Sequence, residues 1–248
     1  LSLAGDMEEI AWDESNLIYR AAFALKETAG VEQGVAIEVQ KVIPPGRGLG
    51  GGSSNAAVTL MVLNRLWGLN WPARQLIRLG ASLGADVAFF FYGGLCSGVG
   101  RGEKLEALPD LLSGWLVMVI PDFALSTGQV YQLFDALPAS LTSRDKESKI
   151  IQFLKRQDRS LFRQFKNDLE LAAFKIYPQL AEIKQEMAKS GAELSMMTGS
   201  GSAIYGFFHD QSQAEKAAER LKARYNYKVM LAETVGRERY REMLLTGA

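Results

Sequence analysis

A chain of 248 residues, 48% apolar and 23% charged, has the length of one large domain or two modest ones. Its composition is that of an ordinary globular protein and excludes extensive disorder. Its 28 basic residues balance 28 acidic ones and lie scattered among them, as in Lys146-Glu147 and Arg237-Glu238-Arg239, so there is no basic stripe for nucleic acid.

In chain order, Asn16–Glu27 has apolar residues at Leu17, Ile18, Ala21, Ala22 and Leu25, a helical period that Asp13 or Ser15 can cap. Val35–Val42 alternates apolar and polar residues like a half-buried strand and ends at Pro44-Pro45. A glycine-rich loop follows, then a helix predicted over Ser53–Trp67 with Ala56, Ala57, Leu60, Met61 and Leu63 on its apolar face. Pro72–Leu83 is a further helix, with Pro72 suited to a first turn. Ala85–Leu95 reads as extended and apolar, Gly98–Gly102 as a turn, and Trp115–Ile120 as a buried strand closed by Pro121.

Gly128–Leu137 and a region from about Lys146 to Lys189 read as helices, punctuated by Pro138 and Pro178. Met196-Met197 lead into a second glycine loop, Thr198–Ser202. The strand Ala203–Phe208, the amphipathic helix Gln213–Tyr225 and the strand Tyr227–Thr234 complete the chain's pattern. This ending predicts a compact C-terminal unit, with a boundary near Leu112–Pro121 and domains of 1–120 and 121–248.

Apolar runs such as Trp115–Ile120 fall far short of the about 20 residues needed to span a membrane. Leu1–Asp6 lacks the basic start and apolar stretch of a signal peptide, so a cytoplasmic protein without a membrane partner is expected. Cys96, the single cysteine, allows no internal disulfide and reads as a small packed residue.

Between predicted strand and predicted helix, five glycines fall within seven residues: Gly46, Gly48, Gly50, Gly51 and Gly52. Glycines let backbone N–H groups approach a ligand, and a helix N-terminus adds unpaired N–H groups and partial positive charge. Ser53 and Ser54 add hydroxyls suited to a metal-bound triphosphate. No Gly-Lys-Ser/Thr closes the loop, so it is not a Walker loop, and Asn64–Asn70 lacks the acid of a dinucleotide site. The competing reading is a flexible turn. Asp86 is a carboxylate before the apolar run Val87–Phe91, an unfavourable setting for a charge without a task. It reads equally as a cap or as a group accepting a hydroxyl proton during phosphoryl transfer. Thr198–Ser202 reads as a tight turn or as a second phosphate loop.

The segments P-x-G-x-G-L-G-G-G-S-S-N-A-A from Pro44, L-G-A-D-V from Leu83, G-R-G-E from Gly100, N-D-L-E from Asn167 and T-G-S-G-S from Thr198 together resemble the GHMP kinases. The likeness runs in consistent order from about Asn16 to Phe208. Within the GHMP kinases it is greatest to the branch that phosphorylates a cytidine-diphosphate-linked methylerythritol for non-mevalonate isoprenoid synthesis.

The resemblance implies an α+β, two-domain fold, with a ribosomal-protein-S5-like N-terminal domain, a ferredoxin-like C-terminal domain and an active site between them. It implies that Pro44, Pro45, Gly46, Arg47, Gly48, Leu49, Gly50, Gly51, Gly52, Ser53 and Ser54 form the ATP phosphate loop, with Ser53 or Ser54 near Mg²⁺. Asp86 would be the catalytic base, and Asn16 and Lys41 would line the adenine pocket. Thr127 and Tyr131 would meet the substrate, the ring flanking cytosine, and Gly199, Ser200 and Gly201 would close over it. A monomer or homodimer acting on a small molecule is expected.

Family members begin with a strand carrying Lys-x-Asn-Leu and then Gly-Tyr-His, which this sequence lacks. The expectation is that an N-terminal stretch precedes Leu1. Ala88 stands where the family usually has proline, which bears on the turn and not on the carboxylate. Two competing readings are another GHMP kinase, for homoserine, mevalonate or a sugar, and a nucleotide-binding relative without catalysis.

Overall fold

A computed structural model describes residues 1–102, 104–110, 113–138 and 165–246. Early residues of the predicted 146–189 helical region, Leu112 of the predicted boundary and Glu103 of G-R-G-E lie outside the described residues. The chain forms two compact units: Leu1–Pro45 with Gly50–Leu108 and Arg237–Ala248, and Gly46–Leu49 with Pro109–Gly236. Both mix helices and strands, as the α+β expectation requires.

In the first unit, strand β1 (Ser2–Gly5) runs parallel to β2 (Ala36–Val39), with Leu3 opposite Ile37. Helix α1 (Leu17–Ala29) connects them and buries Ile18, Ala21, Ala22 and Leu25, the face its period predicts. Its cap is Asn16, whose side chain accepts from the Ile18 N–H at 3.0 Å, and not Asp13 or Ser15. Asp13 instead accepts from both the backbone N–H and the hydroxyl of Ser15, closing the preceding turn. Helix α2 (Gly51–Leu66) buries Ala56, Ala57, Leu60 and Leu63 in a core shared with α1 and with Leu76 of α3 (Ala73–Leu83). Fully buried alanines on both α1 and α2 leave their backbones room to approach.

After α3 the sequence predicted extended chain. The structure has a 3-10 turn, Ala85–Val87, and a short helix α4 (Phe89–Tyr92). A continuous apolar run carries no period, so pattern alone cannot separate strand from buried helix. Strands β3 (Cys96–Val99) and β4 (Lys104–Ala107) then form an antiparallel hairpin, and the C-terminal helix Arg237–Thr246 completes the unit.

The second unit is built on an antiparallel four-stranded sheet of order β6-β7-β5-β8. Its strands are β5 (Trp115–Ile120), β6 (Leu194–Met197), β7 (Ile204–Phe208) and β8 (Lys228–Glu233). The all-apolar β5 is paired along both edges, Val117 lying opposite Gly206 and Leu231. Helices α5 (Thr127–Asp135), α6 (Glu170–Ile176), α7 (Gln179–Lys189) and α8 (Gln211–Arg224) supply the rest of its core, including Val130, Ala172, Ile183, Met187 and Leu221. Among the described residues, no helix is long and apolar enough to cross a membrane.

Candidate active site

The first unit presents an uncapped helix head. Sequence reasoning began this helix at Ser53, but it begins at Gly51, with Gly50 as N-cap at φ 67° and no side-chain cap. An opening helical turn leaves its N–H groups without intrahelical acceptors. No acidic residue stands in that turn. Ser54 donates its N–H to the Gly50 carbonyl at 2.9 Å, while the Ser53 and Ser54 hydroxyls have no hydrogen bond among the described residues. Gly50 is compelled by its left-handed backbone and by space: a Cβ there would lie 2.9 Å from Cζ of Phe90.

Lys41 brings a charge to this head. Its backbone N–H donates to Asp6 Oδ1 at 2.9 Å, fixing the chain after β2. Its Nζ donates to Asn55 Oδ1 at 3.1 Å and would lie 3.4 Å from a Cβ on Gly51. Among the described residues the ammonium meets no carboxylate, and burial pulls its pKa below the ordinary lysine value. A half-buried cation at the positive end of a helix is unfavourable by itself. Paired with a phosphate, both charges and the open N–H groups become favourable.

Asp86 sits in the 3-10 turn, and the following Val87 and Ala88 are fully buried and hold that turn. Its own side chain is exposed and has no hydrogen bond or ion pair among the described residues. The apolar setting inferred from sequence therefore belongs to its neighbours.

Asn16 is already engaged: beyond capping α1, its Nδ2 donates to the Ala11 carbonyl at 2.8 Å. Pro44 and Pro45 lead towards the loop in the same unit, while Gly46–Leu49 belong to the second.

In the second unit, Arg47 donates Nε to the Pro121 carbonyl at 2.9 Å and a terminal nitrogen to that of Asp122 at 2.7 Å. Its own carbonyl accepts from the Ala203 N–H at 3.2 Å and from Thr198 Oγ1 at 3.2 Å. Gly48, at φ 74°, has no room for a Cβ, which would fall 2.2 Å from the Thr198 carbonyl oxygen. Within this unit the Thr127 and Ser200 hydroxyls are hydrogen bonded at 2.9 Å. Tyr131, one turn along α5, is 50% exposed.

Sequence reasoning assigned no role to Asn167 and Glu170, although both lie in the N-D-L-E motif. Asn167 Nδ2 donates to the carbonyls of Met197 at 3.0 Å and Gly199 at 2.6 Å. Buried Glu170 accepts from the Met197 N–H at 2.8 Å and pairs with Lys184 at 2.5 Å. These two side chains hold the second glycine loop from beneath.

Residues 16–94 match the family described as GHMP kinases N terminal domain, and residues 150–226 match GHMP kinases C terminal. The chain is 37% identical to the 4-diphosphocytidyl-2-C-methyl-D-erythritol kinase of Heliobacterium modesticaldum, over 96% of this chain and 81% of that protein. It is 41% identical to the protein of the same name from Prosthecochloris aestuarii, over 88% and 76%. A crystal structure of a 4-(cytidine 5'-diphospho)-2C-methyl-D-erythritol kinase superposes with a TM-score of 0.76 at 33% identity, covering 94% of this chain and 82% of the other. A homoserine kinase from Cytophaga hutchinsonii superposes at 0.79 over 97% of this chain and 82% of its own, and its 21% identity speaks for the fold alone.

Proposed function

The chain belongs to the GHMP kinases, and within them to the 4-diphosphocytidyl-2-C-methyl-D-erythritol kinases, and from that premise we propose that it transfers the γ-phosphoryl group of ATP to a hydroxyl of 4-diphosphocytidyl-2-C-methyl-D-erythritol, a step towards isoprenoid precursors. The observation that carries the reading is the Lys41 ammonium, without a carboxylate, beside the uncapped head of α2. An anion answers both features, and a nucleotide triphosphate is the anion a kinase must hold.

In this reading the open N–H groups of Gly51, Gly52 and Ser53 and the charge of Lys41 hold the phosphates. The Lys41 position supports a phosphate contact more directly than the adenine contact drawn from resemblance. Asn16 serves the adenine side by keeping the first turn of α1 in place. Pro44 to Leu49 complete the phosphate loop. Asp86 accepts the proton of the substrate hydroxyl as its oxygen bonds to the γ-phosphorus and the bond to the bridging oxygen of ADP breaks. Thr127, Tyr131 and Gly199–Gly201 are assigned to the cytidylyl substrate.

Mg²⁺ on the triphosphate supplies neutralisation of charge building on the transferring group. The unbonded hydroxyls of Ser53 and Ser54 are hard oxygen ligands and would hold it. Among the described residues there is no cluster of three or more His, Cys, Asp or Glu side chains, and Mg²⁺ is commonly held mainly by substrate phosphates. The same reading has the enzyme at work in the cytoplasm, where ATP is supplied, as a monomer or homodimer.

The test is ADP release by the purified protein with Mg·ATP and, in turn, the cytidylyl-methylerythritol substrate, homoserine and mevalonate. Turnover on the first alone is expected. Preference for either of the others sinks the substrate assignment, and ATP binding without transfer to any of them sinks the kinase reading.

A further inference from the structure

The C-terminal helix Arg237–Thr246 makes contacts that packing alone does not require. At its start, Arg237 donates to the carbonyls of Leu108 at 2.9 Å and Leu95 at 2.6 Å, fastening it to the chain flanking the β3–β4 hairpin. One turn on, the Tyr240 ring lies against Gly93, where a Cβ would fall 2.2 Å from Cδ1 of that ring. The Tyr240 hydroxyl donates to the carbonyl of Phe90 at 2.7 Å.

Phe90 belongs to α4, a helix of four residues, too short to persist without outside support. The carbonyls at the end of such a helix have no intrahelical donor, and Tyr240 satisfies one of them. The side chain of Phe90 faces Gly50, the N-cap of α2, whose missing Cβ would lie 2.9 Å from Cζ and 3.3 Å from Cε2. Its partner Phe89 meets it edge to face at 5.2 Å. Asp86 lies four residues before Phe90, in the turn that leads directly into α4. One short helix therefore carries the ring that seats the phosphate-loop cap and continues the turn that carries the carboxylate.

We propose that Tyr240 is a positioning residue for phosphoryl transfer: its hydrogen bond fixes α4, and through α4 both Gly50 and Asp86. This rests on the kinase reading for its catalytic consequence, but the mechanical coupling does not. Tyr240→Phe keeps the ring on Gly93 and removes only the hydroxyl. Loss of one such bond is expected to lower kcat by about two- to tenfold and to raise the KM for ATP, with the KM for the alcohol substrate unchanged. Backbone amide exchange should quicken in Gly50–Asn55 as well as in Phe89–Gly93.

A merely structural tyrosine would lower the melting temperature and leave kcat and both KM values unchanged, and that result overturns the proposal. Faster exchange confined to Phe89–Gly93, or at neither segment, overturns it too. Phe90→Leu is the second variant: it keeps the backbone carbonyl for Tyr240 but shortens the side chain at Gly50. It should quicken exchange at Gly50–Asn55, and no change there overturns the coupling even if Tyr240→Phe does not fold. Should the wild type turn over no substrate, the kinase reading fails on its own, while the exchange measurements still decide the brace.

Discussion

The two glycine loops look alike in sequence and are opposite in the hydrogen bonding of their hydroxyls. In Thr198–Ser202 every side-chain hydroxyl has a partner within its own unit. Thr198 N–H donates to Ala203, Gly201 N–H to Thr198, Ser202 Oγ to Phe123, and Thr198 Oγ1 to Arg47. Asn167 donates to the Gly199 carbonyl, and the Ser200 hydroxyl is bonded to that of Thr127. At Gly50–Ser54 the opening N–H groups lack intrahelical acceptors, the paired hydroxyls are unbonded, and an ammonium without a carboxylate stands beside them. Glycine and hydroxyl content marks a loop that must bend tightly. What separates the two is which groups are left unmet: hydroxyls and an ammonium at the first loop, backbone groups alone at the second.

The largest expected effect tests the chemistry assigned beside the open loop. Asp86→Asn removes the proton acceptor and keeps shape, so kcat should fall by about 10²- to 10⁴-fold. The affinity for Mg·ATP should be unchanged, because Lys41 and the head of α2 are untouched. Steady-state kinetics with parallel calorimetric titration measure both, and near-normal turnover would remove Asp86 from the base role.

Next comes a pair of variants that sets the loops against each other. Lys41→Met deletes the unmatched cation, and Mg·ATP affinity should drop by about ten- to a hundredfold, the range of a charge-assisted hydrogen bond. Folding stability should hold or rise, since the cation is half-buried at the wrong end of a helix dipole. Thr198→Val should do the reverse, lowering stability by about 1 kcal/mol through the bond lost to Arg47, with little change in nucleotide affinity. If Lys41→Met destabilises the fold and leaves ATP binding intact, the contrast between the loops collapses.

A smaller effect is expected from beneath the second loop. Asn167→Ala leaves the Met197 and Gly199 carbonyls without their donor and should cost about 1–3 kcal/mol in urea unfolding. Its effect on substrate KM should exceed its effect on ATP KM, because only the second unit's loop is disturbed.

What sequence could show of this was whatever has a local signature. The buried face of α1 at Ile18, Ala21, Ala22 and Leu25 follows from its period, and the central place of β5 from its unbroken apolar run. The position of the first loop, after a strand and at a helix head, was equally legible from its prolines and glycines. The run Val87–Tyr92 was not, because four aromatic residues in succession have no period and fit strand or helix alike. The C-terminal helix escaped for the opposite reason: Arg237–Thr246 is charged on most faces, and its contacts come from Arg237 and Tyr240 reaching back about 130–150 positions to Leu108 and Phe90. Asn167 and Glu170 brace carbonyls and an N–H some thirty residues away, and bonds across such separations leave no spacing to read. Nor can any sequence pattern announce that Lys41 lacks an acid, since that depends on what folding brings near it.

The smallest expected effect is the pH dependence that Lys41 gives to stability and to nucleotide affinity. Burial lowers its pKa from the reference value of 10.5, so the unfolded chain holds this proton more tightly than the folded one. Below the folded value both states are charged and the destabilisation is constant. Between the lowered value and 10.5 the unfolded state binds more protons, so this group makes stability rise with pH. Lys41→Met should remove that rise from a pH series of urea melts. With Mg·ATP bound the sign should invert, because a phosphate favours the charged amine and raises its pKa, so nucleotide affinity should weaken over the same alkaline range. A wild-type protein whose ATP affinity is flat through that range, matching Lys41→Met, would show that the ammonium faces no phosphate, and the assignment of the α2 head as the nucleotide site would have to be given up.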